Sequence, residues 1–277
     1  MKLRILTALV LIPPVIYLIG WSPQWLFLVA LVATVERGLY EYFIITRQAG
    51  LKAFPAVGYV AGGALCLAQA AELQKAGSLG FIVLVLIVLC TLAIALRWTS
   101  DLKEYLGATT STISGVLYVA FSLSLLVPLR FSAHLPAWAT GRKLMLLLFL
   151  VIWSDDVFAF LVGRLLGRTL LFPRVSPKKT VEGALAGLAG SLLVAWGFTH
   201  WFWQTANLKT IMVWAGLIAV AGQVGDLVES AMKRGANLKD AGDLLPGHGG
   251  LLDRIDSLIF GAPTLWLALA VQGLWMS

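Results

Sequence analysis

Apolar segments of a length that can cross a lipid bilayer recur along the whole chain. They fall at about residues 5–21, 24–45, 55–72, 79–96, 112–129, 144–163, 183–203, 210–229 and 256–275. A membrane-spanning helix needs about 20 apolar residues, and its backbone polar groups must pair within the segment. Hydrophobic residues make up 59% of the chain and charged residues only 13%, which excludes an ordinary soluble domain. The sequence therefore predicts an all-α fold, a polytopic transmembrane helical bundle of about nine spans.

Lysine and arginine residues are distributed unevenly between the loops on the two sides of this bundle. The loops on the side of the N-terminus hold most of them, including the two most basic loops of the chain. The positive-inside rule then predicts a cytoplasmic N-terminus and a C-terminus on the outer side. The net charge of +7 is spread over these loops rather than gathered on one soluble face, so no nucleic acid is expected as a partner.

The first half of the chain carries little chemistry. Residues 1–140 are predicted to be N-terminal membrane scaffold helices, and residues 141–277 to be catalytic membrane helices and cytoplasmic loops of the same integral bundle. Cys66 and Cys90 lie inside predicted spans without the spacing of metal ligands, so we interpret both as packing residues.

One charged group interrupts the second predicted span. Arg37 and Glu41 lie one helical turn apart and can pair, with Glu36 beside them. The group is either a self-neutralised pair near the cytoplasmic end of the span or part of the lining of a polar cavity, since ionisable residues within the membrane usually face the interior of a bundle.

Two adjacent carboxylates, Asp155 and Asp156, lie well inside the sixth apolar segment. A charge at such a depth costs at least about 2.5–3.5 kcal/mol on insertion scales. Adjacent helical residues point about 100° apart, so we expect only one of the two to face a polar cavity while the other caps, pairs or is protonated. A structural hydrogen bond between helices is the alternative interpretation.

The loop after this segment combines basic side chains, hydroxyls and helix-breaking residues. It contains the stretch Pro173-Arg-Val-Ser-Pro-Lys-Lys-Thr-Val-Glu-Gly183. Lysine and arginine side chains there can hold phosphate oxygens, and Glu182 either caps the next helix or orients a lysine. Inner loops are basic in most membrane proteins, so this loop alone does not identify a ligand.

The richest concentration of charge lies where the last two predicted spans are joined. Asp226, Glu229 and Ser230 share one helical face at the end of the eighth span, and Asp253 and Asp256 share one face at the start of the ninth. The topology brings both ends to the cytoplasmic side. Carboxylates gathered beside phosphate-binding cations are typical of a Mg²⁺ site for phosphoryl or nucleotidyl transfer.

The loop between these two spans has the flexibility to bring backbone N–H groups close to an anion, because it contains Pro246-Gly-His-Gly-Gly250. His248 is a candidate acid, base or phosphate contact, although a lone loop histidine more often has none of these roles.

The same segment carries a recognisable signature. Its pattern is Ser230-x-x-Lys233-Arg234-x4-Lys239-Asp240-x-Gly242-x-x-Leu245-Pro246-x-His248-Gly249-Gly250-x-x-Asp253-Arg254-x-Asp256. This pattern resembles that of the phosphatidate cytidylyltransferases, also called CDP-diacylglycerol synthases. The resemblance extends to Ser176-Pro-Lys-Lys-Thr180 with Glu182-Gly183, and to Asp156-x-x-Ala159-x-x-x-Gly163. It thus covers essentially the whole chain, and it implies a polytopic helical bundle that works as a homodimer in a bacterial-type plasma (inner) membrane.

The resemblance implies Mg²⁺-dependent condensation of CTP with phosphatidic acid to give CDP-diacylglycerol and pyrophosphate. It implies metal ligation by Asp226 and Asp253, with K⁺ proposed as a second ion. Phe160 and Val181 depart from the family pattern, where a tyrosine and an aromatic residue are common, which affects only fine substrate contacts. A CDP-alcohol phosphotransferase is one rival hypothesis, but the Asp-Gly-x-x-Ala-Arg run typical of such enzymes does not occur in the sequence. A transporter or channel is the other, but charge that clusters in the second half alone disfavours it.

In such a reaction the phosphatidate phosphate already carries a nucleophilic oxygen, so positioning and charge neutralisation dominate. Predicted catalytic residues are Asp226, Lys233, Arg234, Lys239, Asp240, His248, Asp253, Arg254 and Asp256. Predicted substrate-binding residues are Asp156, Ser176, Lys178, Lys179, Thr180, Glu182 and Ser230. Lys178 and Lys179 would hold either CTP or the lipid headgroup. Asp156, Asp240 and Asp256 would orient the cations or hold a second ion.

Overall fold

The computed structural model describes residues 2–73, 79–99, 101–133, 135, 138–242, 244 and 249–276, with side chains described for residue 10 and for those between 12 and 273. Its helices are α1 Lys2–Gly20, α2 Gln24–Gln48, α3 Pro55–Ala71, α4 Leu79–Trp98, α5 Leu102–Phe131, α6 Gly141–Leu166, α7 Val181–Phe202, α8 Leu208–Gly235 and α9 Leu252–Met276. Each predicted apolar segment coincides with one of these helices.

Six helices of the described chain, α4 to α9, are long and apolar enough to cross a membrane. Helix α3 is apolar but shorter, with 17 residues, and α2 carries Glu36, Arg37 and Glu41 in its interior. The polytopic all-α fold of an integral membrane protein is therefore confirmed, whereas the count of nine spans stays a prediction.

The chain forms two compact units. The first contains residues 1–134 and 232–255, and the second contains residues 135–231 and 256–277. The division falls within α8 and within α9, so each of these helices contributes residues to both units. The assignment of scaffold and catalytic roles to residues 1–140 and 141–277 stays a prediction.

In the first unit, α2, α3 and α5 pack around a core that includes Leu39 and Leu65, which are fully buried. A polar contact also joins two of these helices, since the Tyr42 hydroxyl of α2 donates to the Ser111 carbonyl of α5 at 3.2 Å. Cys66 is buried in this core, as expected of a packing residue. Cys90 of α4 is exposed, so its interpretation as a packing residue is wrong.

In the second unit, α6 and α7 pack side by side through small residues. The Ser191 hydroxyl of α7 donates to the Val151 carbonyl of α6 at 2.9 Å, and it lies 3.5 Å from the Ser154 hydroxyl. Small and hydroxylated residues allow membrane helices to approach closely and to bond across the contact. The α6–α7 pair is therefore a rigid frame for the polar residues that it carries.

The basic loop between α6 and α7 contains a β-hairpin, which the sequence analysis did not predict. Strand β1 Leu170–Phe172 pairs antiparallel with β2 Ser176–Thr180, with Leu170 opposite Thr180. The turn begins at Pro173, whose ring fixes φ in the range that such a turn needs. The hairpin holds the lysines of β2 in an extended strand instead of an irregular loop.

Candidate active site

A cavity of about 570 Å³ lies in the second unit, bordered by α6, β2, α7 and α8. Acidic and basic side chains line it, namely Asp155, Asp156, Arg164, Lys178, Lys179 and Asp226. The predicted substrate-binding residues Asp156, Lys178, Lys179 and Thr180 therefore meet around one space, together with the predicted metal ligand Asp226. A cavity with cations of this kind suits a ligand that carries several phosphates.

Asp155 and Asp156 both border this cavity, so the expectation that only one of them would reach it is wrong. The cavity is wide enough to extend around the face of α6 that separates the two side chains. Asp155 is buried, with 6% of its surface exposed, and it accepts a hydrogen bond from the Gln223 amide at 2.8 Å, while Asp156 is exposed. Asp155 is thus held by α8, and Asp156 is open to a ligand.

Gln223 also donates to the Ala184 carbonyl of α7 at 2.9 Å. One amide group therefore ties α6, α7 and α8 together at the cavity. Gln223 was not predicted as a site residue, although a polar side chain three positions before Asp226 on an apolar helix is a usable signal.

Lys179 and Asp226 form an ion pair across the cavity, from β2 to α8. The Ser230 hydroxyl lies 3.4 Å from the other carboxylate oxygen of Asp226, one helical turn away. Both side chains of the ion pair are about one-third exposed or less, so the pair is reachable from the cavity but shielded from bulk solvent.

Three carboxylates converge beside this ion pair. The carboxylate oxygens of Asp226, Glu229 and Asp256 lie within 4.8 Å of one another. Gly225 makes this possible, because a Cβ there would lie 2.6 Å from the Asp256 carbonyl oxygen and would push α8 and α9 apart. Hard oxygen ligands at such separations fit a divalent cation, which takes one or two protein carboxylates and completes its shell with water and phosphate oxygens.

The hairpin that carries Lys178 and Lys179 is anchored at its base. Glu182 accepts hydrogen bonds from the backbone amides of Arg168 and Thr169, each at 3.1 Å, and the Thr180 hydroxyl caps α7 by accepting from the Gly183 amide at 3.1 Å. Glu182 therefore holds the start of the hairpin, and Thr180 fulfils the capping role that the sequence suggested for Glu182.

The first unit holds the other part of the signature segment. Lys233, only 8% exposed, pairs with Asp253 at the start of α9. The second carboxylate oxygen of Asp253 accepts from the Ala241 amide at 3.0 Å and from the Gly250 amide at 2.8 Å. Asp253 thus closes the loop between α8 and α9 onto the start of α9.

Glu41 of α2 reinforces this closure, and its role was missed at the level of sequence. Its side chain is fully buried and accepts hydrogen bonds from the amides of Leu251 and Leu252, at 3.1 and 2.7 Å. Arg37 donates to the same carboxylate at 3.0 Å. The predicted Arg37–Glu41 pair is therefore confirmed, and it also caps the N-terminus of α9, where no serine, threonine, aspartate or asparagine directly precedes the helix.

The remaining predicted residues lie on the surface of the same segment. Arg234, Lys239, Asp240 and Arg254 are exposed, and Arg234 donates to the Leu238 carbonyl at 3.1 Å. Helix α8 ends where Asn237 adopts a left-handed conformation with φ of 56°. Ser176 begins β2 opposite Phe172. His248 lies outside the described residues.

Asp226 belongs to the second unit and Asp253 to the first, so their joint ligation of a metal stays a prediction. Glu229, which the sequence placed on one face with Asp226 without assigning it to the site, belongs to the carboxylate cluster. Arg164, at the end of α6, is a further cation of the cavity that the sequence analysis did not select.

Comparison with known proteins places the chain among enzymes. Residues 2–272 match the cytidylyltransferase family. The phosphatidate cytidylyltransferase of Synechocystis sp. is 35% identical over 267 residues, or 87% of each chain. Those of Bacillus subtilis and Staphylococcus haemolyticus are 46% and 42% identical over 125 residues, which cover 44% and 45% of this chain and 45% and 48% of the two relatives. The chain therefore belongs to the cytidylyltransferase family and, within it, to the phosphatidate cytidylyltransferases, which are nucleotidyltransferases.

Proposed function

We propose that the protein condenses CTP with phosphatidate to form CDP-diacylglycerol and pyrophosphate. The observation that carries this proposal is the cavity of the second unit, where Arg164, Lys178 and Lys179 lie beside aspartates of membrane-spanning helices. A lipid phosphate and a nucleotide triphosphate repel each other, and a group of cations at the membrane is what brings two such anions together.

In the proposed reaction a phosphate oxygen of phosphatidate attacks the α-phosphorus of CTP. A new bond forms between them as the bond from the α-phosphorus to the β-phosphate oxygen breaks, and pyrophosphate leaves with the electron pair. Lys178 and Arg164 would bind and orient the phosphates. Lys179, which forms an ion pair with Asp226, would also pair with the incoming anion. The protein would therefore contribute mainly by positioning the substrates and neutralising their charge.

We further propose that a divalent cation, Mg²⁺, takes part, held by Asp226 with Glu229 and Asp256. The support is the convergence of their carboxylate oxygens within 4.8 Å. Such an ion neutralises negative charge on transferring phosphates. Asp253, the second ligand implied by the resemblance, stays a predicted ligand, and K⁺ stays a predicted second ion.

The site is proposed to open to the cytoplasm of a bacterial inner membrane, with the protein working as a homodimer. The support for this orientation is the concentration of basic residues in the loops on the N-terminal side. A Cys90→Ala background removes the exposed thiol, and Arg174→Cys on the hairpin turn or Lys209→Cys at the start of α8 then supplies a new one. In inside-out vesicles an impermeant maleimide should label only the first variant, and the reverse pattern would refute the orientation.

The catalytic proposal is tested with protein purified in detergent, phosphatidate and CTP labelled in its α-phosphate and cytidine. A labelled lipid and pyrophosphate should appear in equal amounts, and neither should form with a neutral diacylglycerol. Chelation of divalent cations should stop the reaction.

Asp226→Asn should reduce turnover by at least about a hundredfold, the usual scale for removing a group that organises transition-state charge. Asp101→Asn, an exposed helix cap of α5, is the matched control and should retain activity. Formation of CDP-diacylglycerol at the normal rate by Asp226→Asn would contradict the assigned site.

A further inference from the structure

The first unit contains a second cavity, of about 480 Å³, where the C-terminal ends of α2 and α4 meet the N-terminal ends of α3 and α5. Its lining combines basic and aromatic side chains, among them Arg47, Lys52, Tyr40, Tyr59 and Trp98. None of these residues belongs to the signature segment or to the catalytic cavity. Aromatic residues with polar edges concentrate at the membrane–water interface, so this cavity has the composition of a headgroup-level site.

The polar groups of this cavity favour an anion. Arg47 is exposed and forms no ion pair with any residue in the described part of the chain. Lys52 bonds to Glu104 at 2.5 Å, but 63% of its side chain is exposed, so the pair is weak. The Thr99 hydroxyl is buried and has no hydrogen-bond partner among the described residues. The cavity thus contains two cations, one carboxylate and the Thr99 hydroxyl. It is a net positive site with unused hydrogen-bonding capacity.

An apolar groove of about 390 Å³ continues from this cavity between α3 and α4, and the two spaces share Trp98. Val60 of α3 and Val83, Ile87 and Cys90 of α4 line the groove. From residue 83 to residue 98 the helix rises about 22 Å at 1.5 Å per residue. One leaflet holds roughly 15 Å of hydrocarbon, so the groove can accommodate an acyl chain through a whole leaflet.

We propose that the cavity and the groove together bind an anionic glycerophospholipid, at a site separate from the catalytic cavity. The headgroup phosphate is bound by Arg47, Lys52 and the Thr99 hydroxyl, and one acyl chain lies between α3 and α4. A soluble phosphate would leave the groove empty, and a zwitterionic lipid would bring its own cation close to Arg47. An anionic lipid satisfies both the charge and the apolar surface. This proposal does not rest on the proposed reaction.

The headgroup part of the site is tested by native mass spectrometry of the detergent-purified protein during titration with phosphatidylglycerol or phosphatidylcholine. The anionic lipid should bind more tightly. Arg47→Gln should weaken its binding about fivefold, the contribution of one basic side chain near an anionic lipid surface. The matched control is Arg97→Gln, which changes an exposed arginine in the last turn of α4 that does not line the cavity. Equal losses in both variants, or no loss in Arg47→Gln, would overturn the proposal.

The groove is tested with phosphatidylglycerol that carries a photoreactive group in its acyl chain. Crosslinks should map to Val60 and to the groove face of α4, and Cys90→Trp should remove them by filling the groove, with an unchanged melting temperature to show that the variant is folded. Millimolar inorganic phosphate should not displace the lipid. Displacement by phosphate, or a lipid-free groove covered by a second copy of the chain in crosslinked dimers, would overturn the proposal.

Discussion

The substitution Glu41→Gln tests the contribution of a residue of α2 to the capping of α9. In the native protein one carboxylate oxygen accepts from Arg37 and from the Leu251 amide, and the other accepts from the Leu252 amide. Glutamine has nearly the same shape but only one acceptor oxygen. In either orientation its NH₂ group therefore faces a backbone N–H donor. Gly250 leaves no room for adjustment, since a Cβ there would already lie 2.5 Å from a Glu41 oxygen.

The cost follows from the number of bonds affected. At least one buried amide loses its acceptor, which costs roughly 1–3 kcal/mol, and the surviving bonds lose their charge assistance. A total of about 3 kcal/mol lowers the population of the ordered loop by about a hundredfold, since 1.4 kcal/mol is a factor of ten. Because amides of this loop hold Asp253, the partner of Lys233, we expect turnover to fall by ten- to a hundredfold.

The assay combines initial rates of CDP-diacylglycerol formation with hydrogen exchange of the Leu251 and Leu252 amides, which should become faster by a similar factor. Glu36→Gln makes the same chemical change five residues earlier on α2, where the side chain faces Gly62 of α3, and should leave both measurements unchanged. A normal rate together with normal protection of the two amides in Glu41→Gln would show that the Glu41 carboxylate is not needed to cap α9.

Three further predictions concern the two units. Lys179→Gln should reduce turnover at least about a hundredfold and raise the KM for CTP, because it removes the cation that pairs with Asp226. Steady-state kinetics measure both effects, and an unchanged kcat and KM would exclude Lys179 from substrate binding. Gly225→Ala should lower the free energy of unfolding by roughly 1–3 kcal/mol through overpacking, seen as a lower melting temperature. Gly216→Ala on the same helix, where the nearest atom to the new Cβ would be 3.9 Å away, should leave the melting temperature unchanged. Equal melting temperatures in the two variants would refute the close contact of α8 with α9. Asp253→Asn should reduce turnover and expose Lys233, measured as faster amine labelling; unchanged labelling would mean that the Lys233–Asp253 pair does not shield the amine.

The helices could be predicted from the sequence because their signal is local. Every apolar segment near 20 residues became a helix, and most ends differed by a few residues. The segment 112–129 is the later part of a longer helix, Leu102–Phe131. The hairpin between α6 and α7 was missed because β1 has only three residues and β2 contains a proline and two lysines. Strand pairing there depends on the turn at Pro173 and on the Glu182 anchor more than on residue propensity.

Residues of the candidate site could be predicted from the sequence where a charged side chain interrupts an apolar segment. Asp155, Asp156 and Asp226 stand out because carboxylates are rare inside apolar helices. Glu41 stood out in the same way, but its capping role did not, because its partners Leu251 and Leu252 are 210 and 211 residues away and contribute only backbone amides. A signal did exist: α9 begins after two glycines and a leucine, so its first amides needed an acceptor from elsewhere in the chain.

Both units contain a lysine–aspartate pair on or beside a membrane-spanning helix, Lys179–Asp226 in the second and Lys233–Asp253 in the first. Burying a lone lysine or aspartate would be costly, and a pair reduces that cost only while both partners are present. Before substrate binds, each aspartate therefore holds its lysine in place. In the proposed reaction the phosphate oxygens would give the lysine a second anionic partner without the need to order it anew, and such prior organisation is how charged groups contribute most to the stabilisation of developing negative charge.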